Sequence, residues 1–472
     1  MLLYKKQVGL LPRDNMLRKR ASIVALVAAF WAAPLASQQT SLSIGQVQQI
    51  AVQALRAGDA NVAAQASNAL IARAPKDARA LLWRAEAAIL AEDFAGAVSF
   101  GRRAYWNANT GAQRFSAARL VALAHSRQEQ DTRAQTWLRL ARQDAPNDAQ
   151  RAAVAEDFRF LRARNPLSFN LRFGITPTTN VNNGSAVEED ETIDLLGNGL
   201  GFTLSGDARA LSGWEISANT SLRYRIRSDE TSATFLDARF SGRTYILTEG
   251  AEDQAGDGVR GRDFSDATLT FGATHRFILA EGMRPTTAAF SFGQSWFSGE
   301  ANARFWTASA SQAWEISPQD TFILSGFGQR QQSLTGRDPV KTYQLQGTWA
   351  RDLSDLGNVG FSLAIRDNQS DNLDADYDSI RYGLNYSFPE PIAGIQFGLN
   401  YSYEERDYDG TNFGSTRDID TITSAMVTAI FTEVEFFGFR PLVSVEHTVQ
   451  SSDADLFDRE FTNLGFDITS SF

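Results

Sequence analysis

The chain contains no cysteine, and only three of its 472 residues are histidine: His125, His275 and His447. A disulfide framework, a thiolate metal site, a cysteine nucleophile and a lipid-modified N-terminal cysteine are thereby excluded. Three scattered imidazoles do not suggest a metal centre. Positive charge is short as well: the net charge is -10, so the basic face that a nucleic-acid partner requires is not expected. Long apolar runs are missing except for one near the start, and the mean hydropathy is slightly negative at -0.27.

That run lies in MLRKRASIVALVAAFWAAPLASQQ, from Met16. Arg18, Lys19 and Arg20 form a positive start, Ala21 to Ala32 an apolar stretch, and Leu35-Ala36-Ser37 a small-residue exit. The pattern is that of a secretory signal peptide, too short and wrongly flanked for a spanning helix. Residues 1–37 are therefore set apart as a signal region, cleaved after Ser37, with Met16 a candidate initiator.

Two periods divide the remainder. From Thr40 to about Arg164 the chain is rich in Ala, Arg, Leu and Gln, with apolar residues at helical spacing. RAGDANVAAQASNALIARAP, AEDFAGAVSFGRRAYWNAN and QDTRAQTWLRLARQDAP can be laid over one another, aligning Ala63, Ala97 and Ala134, then Leu70, Ala104 and Ala141, then Pro75, Asn109 and Pro146. The first two units are offset by 34 residues, the period of tetratricopeptide repeats (TPR), and the third carries a small insertion. Small residues let paired helices approach closely, and the proline stops the second one. Residues 38–164 are expected to form a TPR-like α-solenoid with a concave face suited to an extended peptide or another protein. A plain helical bundle is the alternative.

After Asn165-Pro166 the chain turns to segments of about ten residues that alternate apolar and polar, as transmembrane barrel strands do. In GIQFGLNYSY, Ile395, Phe397, Leu399, Tyr401 and Tyr403 share one side; SIRYGLNYSF and KTYQLQGTWA repeat the pattern. Aromatics gather at strand ends. Short connections (LSGW, ISPQD, DLSDLG, FPEPIAG, FFGF) trade places with long acidic ones, as the two ends of an outer-membrane barrel require. Residues 165–472 are therefore expected to form an outer-membrane β-barrel. The last row, Leu464, Phe466, Ile468 and Phe472, would face lipid on the closing strand and resembles the assembly signal that the barrel-insertion machinery recognises. About fifteen candidate strands are found, but barrels of this kind have an even number. Residues 233–248 precede a long segment that the length rule would place on the wrong side, so they are assigned to an outer loop, leaving about 14 antiparallel strands.

Motifs with a chemical look are few. GDGVRG (256–261) matches G-x-G-x-x-G but lacks the flanking strand and helix of a phosphate site. Asp374, Asp376 and Asp378 have calcium-loop spacing, yet Ser379 and Asn385 stand where the turn glycine and bidentate glutamate belong. No nucleophile and base share a spacing, so no catalytic residue, cofactor or metal is assigned and an enzyme is not expected. Arg172, Arg209, Arg223, Arg225, Arg227, Arg304 and Arg381 fall in strand-like segments, where the polar face would direct them into the lumen.

The segment NPLSFNLRFGITPTTNVNNGS, with FFGFRPLVSVEH and the chain's ending, resembles the surface lipoprotein assembly modulators (Slam), the translocons of type XI secretion. The matching positions are Pro166, Phe169, Gly174, Pro177, Asn180, Asn182 and Asn183 at the barrel entry, Gly213 and Trp214 at the first short turn, and Phe436, Phe437, Gly438, Phe439 and Pro441 before the penultimate strand. The resemblance implies a signal peptide, a periplasmic TPR domain and a fourteen-strand outer-membrane barrel, working as a monomer. It implies export or surface display of a client protein, lipidated or soluble, received with periplasmic chaperones by the helical domain and passed through or along the barrel. A TPR-bearing exopolysaccharide exporter, or a simple porin or scaffold, is the alternative.

Overall fold

The computed structural model describes residues 42–188, 192–193, 201–204, 206–411 and 417–470. The signal region and Phe472 lie outside the described residues.

Seven helices come first: α1 (Ile44–Ala57), α2 (Ala60–Arg73), α3 (Ala78–Leu90), α4 (Phe94–Trp106), α5 (Gly111–Arg127), α6 (Asp131–Gln143) and α7 (Asp148–Arg164). Their starts follow from their caps. Asp59, Asp77, Asp93, Thr110 and Asn147 each accept an N–H of the first turn, and Ser43 and Gln46 form a reciprocal capping box. Gly58 closes α1 at φ 75°, a left-handed cap that favours glycine. The aligned alanines Ala63, Ala97 and Ala134 occupy one position on α2, α4 and α6, and all three are 0% exposed. The repeat read in the sequence is thus the packing repeat: each second helix is pulled against its partner through an alanine too small to hold it off.

The rest is a closed barrel of fourteen antiparallel strands. They are β1 (Leu167–Thr178), β2 (Gly213–Ser228), β3 (Ser232–Leu247), β4 (Asp266–Phe277), β5 (Thr286–Phe297), β6 (Glu300–Glu315), β7 (Asp320–Ser333), β8 (Val340–Asp352), β9 (Asn358–Gln369), β10 (Tyr377–Ser387), β11 (Ile395–Tyr408), β12 (Ile419–Phe431), β13 (Phe439–Ser452) and β14 (Arg459–Ser470). Each strand pairs with the next, and β14 closes on β1. Large apolar side chains such as Phe173, Leu236, Phe271, Leu345, Leu384, Tyr401 and Phe466 stand exposed on the outer row. Their exposure makes the wall a lipid-facing surface, since no protein layer covers it.

Three expectations are corrected. Residues 233–248 are not an outer loop: β3 covers Ser232–Leu247 and is hydrogen-bonded to both neighbours. The segment around Arg209 is not a strand. It belongs to the first long loop, where Gly206–Ala208 is a single 3-10 turn. LSGW is not a turn near the helices; Gly213 and Trp214 open β2 at the barrel's far end, opposite Pro177 and Thr178. One error forced the others. Taking LSGW for a near-end turn inserts a strand before it, and the parity of every later loop then demands that 233–248 be removed. The strand total survives because the two errors cancel.

Candidate functional site: the helix-to-barrel junction and the barrel seam

The end of the barrel that carries the helices (the near end) is held to them at two places. Arg225, on β2, donates to the carbonyls of Ala163 and Arg164 at 3.0 and 2.8 Å, while its own N–H donates to Pro166 O at 2.8 Å. These bonds fix the exit of α7 over the start of β1. The second place is the turn between β12 and β13. There Phe436 and Phe439 exchange both backbone hydrogen bonds at 2.9 Å, with Phe437 and Gly438 left-handed at φ 52° and 77°. Two central residues with positive φ make the hairpin turn normally built from Asn-Gly, and a phenylalanine there is strained.

That strained turn is what α6 grips. Arg139 donates to the carbonyls of Phe437 and Gly438, both at 3.3 Å, and to Ser470 Oγ at 3.2 Å. Its guanidinium lies 4.2 Å from the Phe439 ring and 5.0 Å from that of Phe158. Arg142 binds both carboxylate oxygens of Glu435, Nη2 at 2.7 Å. The Phe437 N–H donates to Gln143 Oε1 at 2.8 Å. Burial, with Arg162 and Arg142 close by, pulls the Arg139 guanidinium down to about 10. A desolvated cation in this position needs the carbonyls and ring faces it has.

These contacts straddle the seam where the barrel closes. Between the described residues of β1 and β14, register pairs occur only at Ile175↔Phe466 and Thr178↔Asn463, in the far half of β1. Leu167–Gly174 are paired to β2 but to none of the described residues of β14. The end of α7 is tied to β2 by Arg225, beside the start of β1, and α6 holds the end of β14 through Arg139, one contact on each side of this stretch.

A groove of about 700 Å³ lies in the helical domain. Leu90, Leu123, Phe160 and Leu161 give it apolar walls, and Glu86, Arg119 and Arg164 put charges along it. Burial raises the Glu86 carboxyl above its ordinary value. Arg164 also lines it, tied to Asp131 at 2.9 Å and to Ser126 O at 3.0 Å. Arg164 is the last residue of α7, three residues before β1 begins at Leu167, so one wall of the groove adjoins the entry to the barrel.

The barrel interior is polar. Gln344, Gln346, Arg366, Arg381, Asn385 and Glu404 line one cavity of about 370 Å³. Arginines there pair mainly with carboxylates on their own or the adjacent strand: Arg223 with Asp237 at 2.6 Å, Arg243 with Asp266 at 2.9 Å, Arg406 with Glu404 at 2.9 Å. Of the seven strand arginines singled out in the sequence, Arg172, Arg223, Arg225 and Arg381 lie on the inner row. Arg209 is in the first loop. A β-bulge between Arg225 and Arg227 moves Arg227 opposite Thr234, on the outer row. Arg304, opposite Gln294 and two residues from Trp306, is outward too. Alternation alone could not reveal a bulge.

The family-motif positions fall into clusters at the two ends, with others in the wall. Pro166, Phe436, Phe437, Gly438 and Phe439 form or adjoin the junction. Asn180, Asn182 and Asn183 build the far-end loop: Asn180 exchanges two hydrogen bonds with the Gly184 backbone at 2.8 and 2.9 Å, and Asn182 donates to Asp207 O and Arg209 O and accepts from the Leu211 N–H. Asn183 takes φ 52°. That loop reaches the last one, with Ala186 N–H donating to Asp458 O at 2.9 Å. Phe169 and Trp214 are outward and exposed. Pro177 pairs with Trp214 and Pro441 with Ile468. Gly174 faces inward, where a Cβ would come 2.8 Å from Ser217 Oγ, and at Gly213 one would meet Ile246 O at 2.5 Å. Leu464, Phe466 and Ile468 share the outer row of β14. Arg139, Arg142 and Glu435 were not foreseen, because only the folded chain brings positions about 300 apart together; Arg225 was expected to line the lumen, and its bonds to the end of α7 came only with the fold.

No family model and no curated protein matches the chain. Among solved structures, the TPR2B-domain:pHsp70 complex of yeast Sti1 aligns at 20% identity, covering 26% of this chain and 100% of that one, with a TM-score of 0.25. A bacterial polysaccharide outer membrane secretin aligns at 10% identity over 64% of this chain and 98% of its own, with a TM-score of 0.34. OprD of Pseudomonas aeruginosa aligns at 10% identity over 65% and 96%, with a TM-score of 0.30. The class defined by the chain's own architecture is an outer-membrane-type β-barrel with a helical repeat domain docked on one end.

Proposed function

We propose that this protein is an outer-membrane translocon that exports or surface-displays specific client proteins, its helical domain lying in the periplasm. The observation that carries the reading is the seam. The part of β1 with no register pair to the described residues of β14 starts three residues after Arg164, which lines the groove. A client segment held in the groove is thereby delivered to this stretch of strand edge, where its backbone can pair. It then moves along the seam or into the polar lumen, where water-facing Gln, Asn and paired charges offer little apolar surface to trap it.

A porin has no use for a groove that leads to a strand edge, and a glycan has no backbone with which to pair an edge. The test compares wild-type and deletion strains by surface shaving and culture-supernatant proteomics. One or two proteins lost from the outside and accumulated in the periplasm support the reading. An unchanged protein profile with a missing extracellular glycan contradicts it in favour of a polysaccharide exporter.

A further inference from the structure

On the outer wall at the far end, three cations face away from the lumen, and Arg304 and Arg330 have no carboxylate opposite them among the described residues. Arg330 on β7 stands directly opposite Lys341 on β8. Arg304 on β6 lies one diagonal step away, opposite Gln332 and held by Gln294 Oε1 at 3.2 Å. Like charges placed directly across a sheet destabilise it. Among the described residues, none of the three is ion-paired, whereas at the other end of the same row Arg351 meets Asp320 at 3.8 Å and the Trp349 indole donates to Asp320 at 3.0 Å.

Depth identifies the partner's level. Lys341 and Arg351 share the outer row of β8, ten residues apart. At a rise of ~3.4 Å and a strand tilt of ~40° they are separated by about 26 Å, close to the ~25 Å height of a barrel's apolar band. The exposed ring of Tyr343 sits one step inside Lys341 and that of Trp306 one step inside Arg304, directly opposite Arg330, as interfacial aromatics do. The cluster therefore lies at headgroup depth. Beneath it Ala308 faces Gly328 and Ala310 faces Gly326, a low-relief strip on which acyl chains can lie. The same level turns acidic from the next strand on: Asp367 on β9 stands opposite Tyr343, one diagonal step from Lys341, and Asp378 and Asp407 continue the cross-strand row. The positive patch therefore ends at Lys341.

We infer that Arg304, Arg330 and Lys341 form a binding site for the phosphates of an outer-leaflet glycolipid of the lipid A type. Guanidinium groups match phosphate oxygens in paired geometry, and the amide side chains of Gln294 and Gln332 supply further donors. Bound there, the phosphates remove the Arg330–Lys341 repulsion and fix the barrel's depth and orientation beside the shortest far-end turn, Ser298-Gly299. The inference rests on the translocon reading in taking the barrel to lie in an outer membrane with its helical domain in the periplasm.

The test uses the purified full-length protein in zwitterionic nanodiscs doped with bis-phosphorylated lipid A, followed by native mass spectrometry. Wild type is expected to retain one lipid A. The double variant Arg330→Gln with Lys341→Gln, and Arg304→Gln as an independent second, should each bind about tenfold more weakly, the effect of losing a charge-assisted hydrogen bond. Arg351→Gln should bind as wild type does. Equal retention of dephosphorylated lipid A, displacement by inorganic phosphate alone, equal competition by phosphatidylglycerol, or unchanged binding in both far-end variants would each overturn the inference. Normal lipid binding with no effect of deletion on exported proteins would sink the translocon reading alone.

Discussion

Arg142 and Glu435 lie 293 residues apart in the chain and meet in a two-pronged salt bridge, their side chains 10% and 17% exposed. One belongs to a helix of the repeat domain and the other to a barrel turn, so the pair measures whether the two parts work as one. Removing one partner leaves the other charge desolvated. Glu435→Gln is expected to weaken docking by about 3 kcal/mol, the low end for a broken buried pair, and Arg142→Met combined with Glu435→Leu should recover much of that loss. Spin-label distances between α3 and the far rim check this; the absence of native cysteine makes such labels specific. An unchanged distance distribution in Glu435→Gln would show that the bridge does not hold the junction.

How much of this was legible in the sequence depends on the period of each feature. Alternation at Ile380, Tyr382 and Leu384 identified lipid-facing rows, because a strand repeats every two residues. The alanine alignment located the buried helix positions for the analogous reason. The bulge at Arg225–Arg227, the unpaired edge of β1 and the grip of Arg139 on Ser470 have no period. They depend on register between distant segments, which composition does not encode. FFGF was visible as a motif, but its role as the helix-docking turn came only with α6 beside it.

The imidazole of His125 is buried against α6, and burial lowers its pKa despite the hydrogen bond with Gln130 at 2.9 Å. A base with a depressed folded-state pKa contributes stability that is fully present above its ordinary value of about 6.5 and is lost as pH falls toward the depressed one. Helical-domain melting, followed by circular dichroism at 222 nm in the whole protein, should therefore weaken as pH falls below about 6.5. Glu86, raised by burial, works in the opposite sense at lower pH. The readout is thus the difference between wild type and His125→Gln, which should flatten the histidine-dependent part. An identical pH profile in both proteins would refute the assignment.

Leu384 and Ser402 lie on neighbouring strands but on opposite faces of the wall. Leu384→Lys puts a cation into lipid and should cost about 2–4 kcal/mol if the position is near the bilayer midplane. Ser402→Lys enters the polar lumen and should cost much less. Urea unfolding in lipid vesicles, read by heat-modifiable gel mobility, distinguishes them. Equal losses would mean that the two faces have been wrongly assigned.

At the far end, Asn182 satisfies Asp207 O at 2.6 Å, Arg209 O at 2.8 Å and the Leu211 N–H at 2.9 Å. Asn182→Ala should cost about 1 kcal/mol locally, since part-buried backbone groups lose their partners, and should expose residues 179–188 and 206–212 to protease while the barrel stays folded. Resistance equal to wild type would show the loop to be held by other contacts, chiefly the Ala186–Asp458 bond.

The most direct measurement locks the seam. The register of Ile175↔Phe466, continued toward the helices, sets Phe173 opposite Ile468. In a chain without other cysteines, Phe173→Cys with Ile468→Cys forms one defined crosslink under oxidation. The account predicts that proteins lost from the cell surface or supernatant in the deletion strain are also lost when the seam is locked, and return on reduction. The control pair Ile175→Cys with Phe466→Cys, in the zipped half, should leave export unchanged. Normal export through a fully crosslinked near seam would contradict delivery at the β1 edge.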